Sequence, residues 1–206
     1  LGDMDTLAYL YAKNLGKTIA KAKSSRKITS KLGGHLEPLN LIKARLVGRR
    51  ALPGSGQTFQ IVDAITLERP LVNQPLPIVV KFLSFFNFIK EMTFENQPDL
   101  PLWSAILKHL KNPTADEKTI YRSALKILGF DPEFTFCSKC KIKNVDFFLK
   151  EEQIFLCRKC VLTSKIKKGS LIKYALDNLK KESFSVIQKE LKSVLGNFAG
   201  IYALYK

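Results

Sequence analysis

Residues 137–160 read CSKCKIKNVDFFLKEEQIFLCRKC. All four cysteines of the chain lie here, as Cys137-x-x-Cys140 and Cys157-x-x-Cys160 with sixteen residues between the pairs. A tight turn can present two thiolates at once, and a hairpin between two such turns brings four thiolates around one ion. Phe147, Phe148 and Leu149, then Ile154 and Phe155, predict that hairpin on either side of Glu151-Glu152. Four protein ligands leave no open position for water, so the expected ion is a structural zinc. Two disulfides are the alternative, but they need an oxidising compartment, and no signal peptide is visible. A thiol–disulfide redox role fits two equal Cys-x-x-Cys units less well than a shared metal does.

Upstream of the cysteines, over 71–136, apolar residues recur at helical spacing. Ile78, Val79, Phe82, Leu83, Phe85, Phe86, Ile89 and Met92 predict a first helix behind Pro75 and Pro77. Leu102, Trp103, Ile106, Leu107 and Leu110 predict a second. Ile120, Tyr121, Ala124, Leu125 and Leu128 predict a third, with Thr114 and Glu117 as capping box and Gly129 as its stop. Downstream, Leu171, Ile172, Ala175, Leu176 and Leu179 predict one helix, and Phe184 to Phe198 another.

The first 70 residues read as strands: Thr6–Ala12, Thr18–Ala22, Leu36–Val47 and Gln57–Leu67, with a Pro53-Gly54-Ser55-Gly56 turn before the last. In that last strand Phe59 and Ile61 are expected on one face and Val62 and Ala64 on the other. Short strands with glycine-rich turns suggest a small β-barrel. About four strands are visible where such a barrel takes five, which places the missing one before Leu1. The chain begins without Met, so a preceding segment is expected. The predicted class is therefore α+β. The expected parts are a basic β-barrel over 1–70, an α-helical domain over 71–136 and 161–206, and a four-cysteine zinc module over 137–160.

Of 206 residues, 34 are Lys or Arg and 18 are Asp or Glu, a net charge of +16. Residues 1–50 hold eleven of the cations against three acids, and residues 137–168 hold nine against three; the middle is nearly neutral. Clustered positive charge favours polyanions, because each phosphate neutralised releases counterions. Lys21, Lys23, Arg26, Lys27 and Lys31, interspersed with Ser24, Ser25, Thr29 and Ser30, form the main candidate for phosphate contact, with Arg49 and Arg50 added to it. A solvated loop guarding a strand edge is the plainer reading. The zinc loop is basic as well: Lys139, Lys141, Lys143, Arg158 and Lys159, then Lys165, Lys167 and Lys168. No uncharged apolar run approaches the ~20 residues of a membrane span. Nucleotide-binding and hydrolase motifs are missing. Only His35 and His109 offer imidazole; His35 is expected in a turn and His109 on the surface. Together these features favour a binding protein over an enzyme.

Several stretches in fixed order resemble the RecO family of bacterial recombination mediators. They are Gly2-Asp3-Met4-Asp5-Thr6-Leu7, Gly16-Lys17, Ala20-Lys21-Ala22-Lys23-Ser24-Ser25-Arg26-Lys27, Ser30, Leu36-Glu37-Pro38, Leu128-Gly129-Phe130 and the cysteine quartet. The quartet resembles the zinc-bearing members. Ser24 stands where the family usually has glycine. The resemblance implies an OB-fold, then a helical domain with an inserted zinc module. It implies binding of single- and double-stranded DNA, annealing of complementary strands, and a bacterial cytoplasmic, nucleoid-associated location. It further implies partnership with RecR and with the acidic tail of the single-stranded-DNA-binding protein, so that RecA can load. The phenylalanine-rich first helix would then offer Phe88 or Phe94 as a pocket wall, with Lys81, Lys90, Lys108 and Arg122 as rim cations for that tail. Rival classes are a zinc-containing RNA-binding factor and a nuclease or ligase subunit.

Overall fold

Alternation of small and branched apolar residues builds the first strands. β1 (Thr6–Ala12) and β2 (Gly16–Ala22) pair antiparallel, and β2 alternates strictly between buried and half-buried positions. The computed structural model describes residues 3–49, 58–164, 166, 171–173 and 202–205. Ala8, Leu10, Ala20, Ala22, Leu36, Ile42, Ala44, Ile61 and Ala64 form one buried cluster. Five of the nine are alanine, so the strands can curve around a narrow interior.

β3 (Leu41–Arg49) and β4 (Thr58–Glu68) pair antiparallel with two register shifts. Arg45 faces Asp63 while Leu46 faces Ile61, which leaves Val62 as an extra residue in β4. This bulge corrects the period-2 expectation. Ile61 and Ala64 both point into the core, and Val62 is exposed. The strand expected from Leu36 begins only at Leu41. Leu36 and Leu39 are nonetheless buried, and His35 closes a short 3-10 turn over Gly33–His35. As expected His35 is a turn residue, and its Nδ1 accepts the Thr66 N–H at 3.1 Å, fastening the turn to β4.

β2 pairs parallel with β4, and β8 (Tyr202–Tyr205) pairs parallel with both β1 and β3. The order β1-β2-β4-β3-β8 thus closes on itself. The fifth strand was expected ahead of Leu1; among the described residues its place between β1 and β3 is taken from the far side of the chain.

α1 (Leu76–Met92) has Pro77 in its first turn, where a missing N–H does no harm. It buries Phe82, Leu83, Phe85, Phe86, Phe88 and Ile89. α2 (Leu100–Lys111) starts where the Asp99 carboxylate accepts the Leu102 N–H at 2.8 Å. His109 was expected on the surface but is only 7% exposed, edge-on to Phe85 at 6.5 Å between centroids. It follows Leu102 and Ile106 at i+7 and i+3, which puts it on the apolar stripe. α3 (Glu117–Ile127) is preceded by Asp116 at the cap position, not Thr114. It ends as expected at Gly129, whose φ is +86°. The Phe130 N–H reaches Leu125 O at 2.8 Å and the Gly129 N–H reaches Lys126 O at 3.3 Å, a Schellman closure.

β5 (Phe147–Leu149) pairs with β6 (Ile154–Leu156) and with β7 (Leu171–Lys173), in the order β6-β5-β7. The helix expected from Leu171 is therefore a strand at its start. The reason is the open edge of β5, whose three residues pair one for one with Leu171, Ile172 and Lys173. The remainder of that helix, the helix from Phe184 to Phe198, and the Pro53–Gly56 turn lie outside the described residues. α4 (Arg158–Leu162) follows Cys157.

The chain divides into two compact units, Leu1–Pro113 with Ser183–Lys206, and Thr114–Glu182. The first unit thus runs past residue 70, where sequence reading ended the barrel. The β1–β2 turn is fastened to the segment after α1. The Asn96 N–H reaches Lys17 O at 2.7 Å and Lys17 Nζ donates to Lys90 O at 2.8 Å. No helix among the described residues is long and apolar enough to cross a membrane.

Candidate nucleic-acid interface and metal centre

The basic loop after β2 has a defined backbone. Ser24 sits at φ +51°, and its N–H donates to Asp5 Oδ1 at 2.8 Å. The buried Ser25 hydroxyl bonds Thr6 Oγ1 at 2.6 Å and Ala22 O at 3.2 Å. The Arg26 N–H reaches Met4 O and the Ser30 N–H reaches Lys27 O, at 3.1 and 2.9 Å. On this frame Lys23, Arg26, Lys27 and Lys31 are exposed. Lys21 differs. It pairs with Asp5 at 2.7 Å, an acid that sequence reading had not set against the cluster. Arg49 is the last residue of β3, and Arg50 lies outside the described residues, as do Lys165, Lys167 and Lys168.

The four cysteines converge. Their sulfurs all lie within 4.8 Å of one another, and Cys140 and Cys157 Sγ are 3.5 Å apart. No disulfide joins any of the four, and their convergence around one point favours a shared ion over two disulfides. The first knuckle is a turn in which the Lys141 N–H reaches Cys137 O at 2.8 Å and the Cys137 N–H reaches Ile142 O at 2.9 Å, with Lys141 at φ +61°. The second is the start of α4, where Cys157 Sγ accepts the Cys160 N–H at 3.5 Å. The β5–β6 hairpin joins them: the Ser138 N–H reaches Phe155 O at 2.9 Å and the Asp146 N–H reaches Leu156 O at 3.1 Å. Phe148, fully buried, packs between Phe130 and Phe155 at 5.2 and 5.0 Å between centroids, tilted against the first and edge-on to the second.

The donor set suits a thiophilic ion. Tetrahedral ligation at Zn–S of about 2.3 Å puts sulfurs about 3.8 Å apart, close to the spacing found. Burial pushes the Cys137 thiol up. The N–H groups of Cys140, Cys157 and Lys139 outweigh that and bring it down to about 6. Cys160 is pushed up to about 12 by the neighbouring Cys140, by burial and by Cys157. An ion bound by the quartet must displace the thiol protons that remain.

The residues expected to receive a partner tail fall on α1, just beyond it, on α2 and on α3. Phe88 is 2% exposed and belongs to the core, so it walls no surface pocket. Phe94 lies beyond the end of α1 and is 75% exposed. Lys81 Nζ donates to Pro113 O at 2.8 Å, and Lys90 Nζ stands 4.0 Å from the Tyr9 ring centroid. Lys108 is exposed on α2. Arg122, on α3 in the second unit, pairs with Glu133. Sequence reading missed Phe134 and Phe136, two exposed rings just ahead of Cys137. Their place between the Gly129 stop and the first knuckle, outside any helix or strand period, was the available signal.

No family model matches the chain. Curated relatives do. The DNA repair protein RecO of Thermodesulfovibrio yellowstonii is 23% identical over 167 residues, covering 77% of this chain and 64% of that protein. The protein of the same name from Myxococcus xanthus is 26% identical over 145 residues, 68% of this chain and 58% of that one. That of Dehalococcoides mccartyi is 27% identical over 165 residues, 77% and 64% respectively. The chain spans about 58–64% of the length of these relatives. Together with the ordered motifs from the β1–β2 hairpin to the cysteine quartet, these likenesses make the chain similar to the proteins named DNA repair protein RecO.

Proposed function

We propose that the chain is a non-enzymatic DNA-binding protein of recombinational repair. It binds single- and double-stranded DNA and anneals complementary single strands. With RecR it helps load RecA onto DNA coated by the single-stranded-DNA-binding protein, in the bacterial cytoplasm at the nucleoid. The observation that carries this reading is the fixed loop after β2, on which Lys23, Arg26, Lys27 and Lys31 are all exposed. Cations held on an ordered frame lose little freedom when they meet phosphates. The relatives carry a DNA repair name, and nothing in the comparisons favours the RNA-binding alternative. The strand order β1-β2-β4-β3-β8, parallel at the β2–β4, β3–β8 and β8–β1 steps and antiparallel at the other two, supports an OB-fold-like barrel as the platform. The quartet Cys137, Cys140, Cys157 and Cys160 holds a structural zinc that fixes the hairpin. Phe94 and Lys108 remain for docking the acidic tail.

Annealing of complementary strands coated with their binding protein tests the activity, with structured RNA as competitor. Replacing Lys23, Arg26 and Lys27 by Ala should weaken binding on all sequences alike. It should also shrink the single-strand salt slope by about 0.7 per contact removed. Lys21→Ala, whose cation already serves Asp5, should change the slope little. An unchanged slope in the triple variant would reduce the loop to a solvated edge.

A further inference from the structure

The second unit carries a cleft that the metal ligands do not use. It holds about 320 Å³. Phe130, Phe134, Ile154 and Phe155 supply apolar walls, and Ser138 and Gln153 supply polar groups. Phe134 is 82% exposed, so its ring stands in water where a core role would have covered it. Phe136 beside it is also exposed, with Lys143 Nζ 5.9 Å from its centroid. The acids of the rim are already neutralised. Lys126 pairs with Asp131 at 3.3 Å, and Arg122 pairs with Glu133. Past Ser138 the surface turns basic: Lys139, Lys141 and Lys143 on the first knuckle, Arg158 and Lys159 on the second, all exposed.

A free aromatic face, a hydrogen-bonding edge and flanking cations together match one ligand chemistry. Every base of a single strand has a π-face to stack, an edge for an amide and a hydroxyl, and a phosphate on either side. An acidic peptide would satisfy the cations and could hydrogen-bond Gln153 and Ser138 through its backbone, but its carboxylate side chains offer no π-face to stack on Phe134. We propose that this cleft holds one unstacked base of a single-stranded nucleic acid, with the adjoining phosphates on Lys139, Lys141 and Lys143. The inference rests on the chain being a nucleic-acid-binding protein. It adds a second contact surface, in a different compact unit from the loop after β2.

The test uses the full chain and an oligothymidine single strand carrying one 2-aminopurine, with affinity and base fluorescence read together. Phe134→Ala should weaken binding about fivefold or more and abolish the fluorescence change of the stacked base. Its salt slope should stay at the wild-type value, because no phosphate contact is lost. Phe134→Tyr should restore both readouts. Lys141→Ala with Lys143→Ala should instead lower the slope, by about 0.7 for each contact. Unchanged zinc content in each variant shows that the hairpin persists. If Phe134→Ala binds like the wild type while the Lys23, Arg26 and Lys27 variant is impaired, the cleft proposal is overturned and the proposed function stands. If the wild-type chain binds no single strand, both fall. If an acidic peptide binds in a Phe134-dependent manner while the oligonucleotide does not, the cleft belongs to a protein partner, which also overturns the proposal.

Discussion

Ser24 shows how one residue can look wrong in sequence and right in structure. Sequence reading noted it where the family usually has glycine. The structure gives it φ +51°, a left-handed conformation that glycine adopts without a Cβ penalty and that serine holds here with the help of the Asp5 carboxylate. His109 makes the opposite point, since a histidine flanked by lysines read as exposed and proved buried. Burial, then Lys108 and Lys81, lower its pKa from the ordinary 6.5. The unfolded chain therefore takes up this proton first as the pH falls below that value, and protonation favours unfolding. Stability should be fully present above pH 6.5 and decline as acidification continues towards the folded pKa. Thermal unfolding of the wild type and His109→Gln at pH 7.5 and 5.5 should show a smaller acid-induced loss for the variant. Equal losses would remove His109 from the account.

Among the elements, the tightest constraint is the β1–β2 turn. Gly16 has φ +67°, and a Cβ there would lie 1.9 Å from the Gln97 carbonyl oxygen. Gly16→Ala must therefore displace the backbone between α1 and α2 as well as strain its own. A loss of about 2–4 kcal/mol is expected, read as a lower denaturation midpoint. A variant within about 0.5 kcal/mol of wild type, the usual scatter of surface changes, would show that the linker yields freely. How legible each element was follows from where its determinants lie. α1 and α2 were read nearly to the residue, because helix periodicity is local and their prolines mark the starts. The Schellman stop at Gly129 was legible for the same reason, and the cysteine hairpin was legible because two Cys-x-x-Cys units mark their own partners. β4 was misread because the Val62 bulge is imposed by β3, and β7 because its partner β5 lies more than twenty residues away, about the limit of what periodicity can see. The cleft at Phe134 was signalled only by two rings lying between the Gly129 stop and the first knuckle, and their place alone does not say which ring is left uncovered.

At the scale of the whole molecule, the two units should answer differently to a chelator. The second unit packs a small core around Phe148, and the zinc proposed for the cysteine quartet would contribute folding energy to that unit directly. Trp103, the single tryptophan, is buried in α2 of the first unit. Chelation should therefore open residues 137–160 to protease while leaving Trp103 emission where it was. A red shift of Trp103 in step with cleavage would mean that the units unfold as one.

The closing strand of the first unit has a consequence for how the protein comes into being. Tyr9 is paired with Tyr202, partners about 190 residues apart, and contacts so remote are the last to form in a folding chain. During synthesis β1, β2, β3 and β4 leave the ribosome long before β8 exists. Two strand edges, on β1 and on β3, stay bare while the helices and the cysteine hairpin are being made. Until residues 202–205 arrive, the nascent chain thus carries two unpaired strand edges of the kind that pair with other chains.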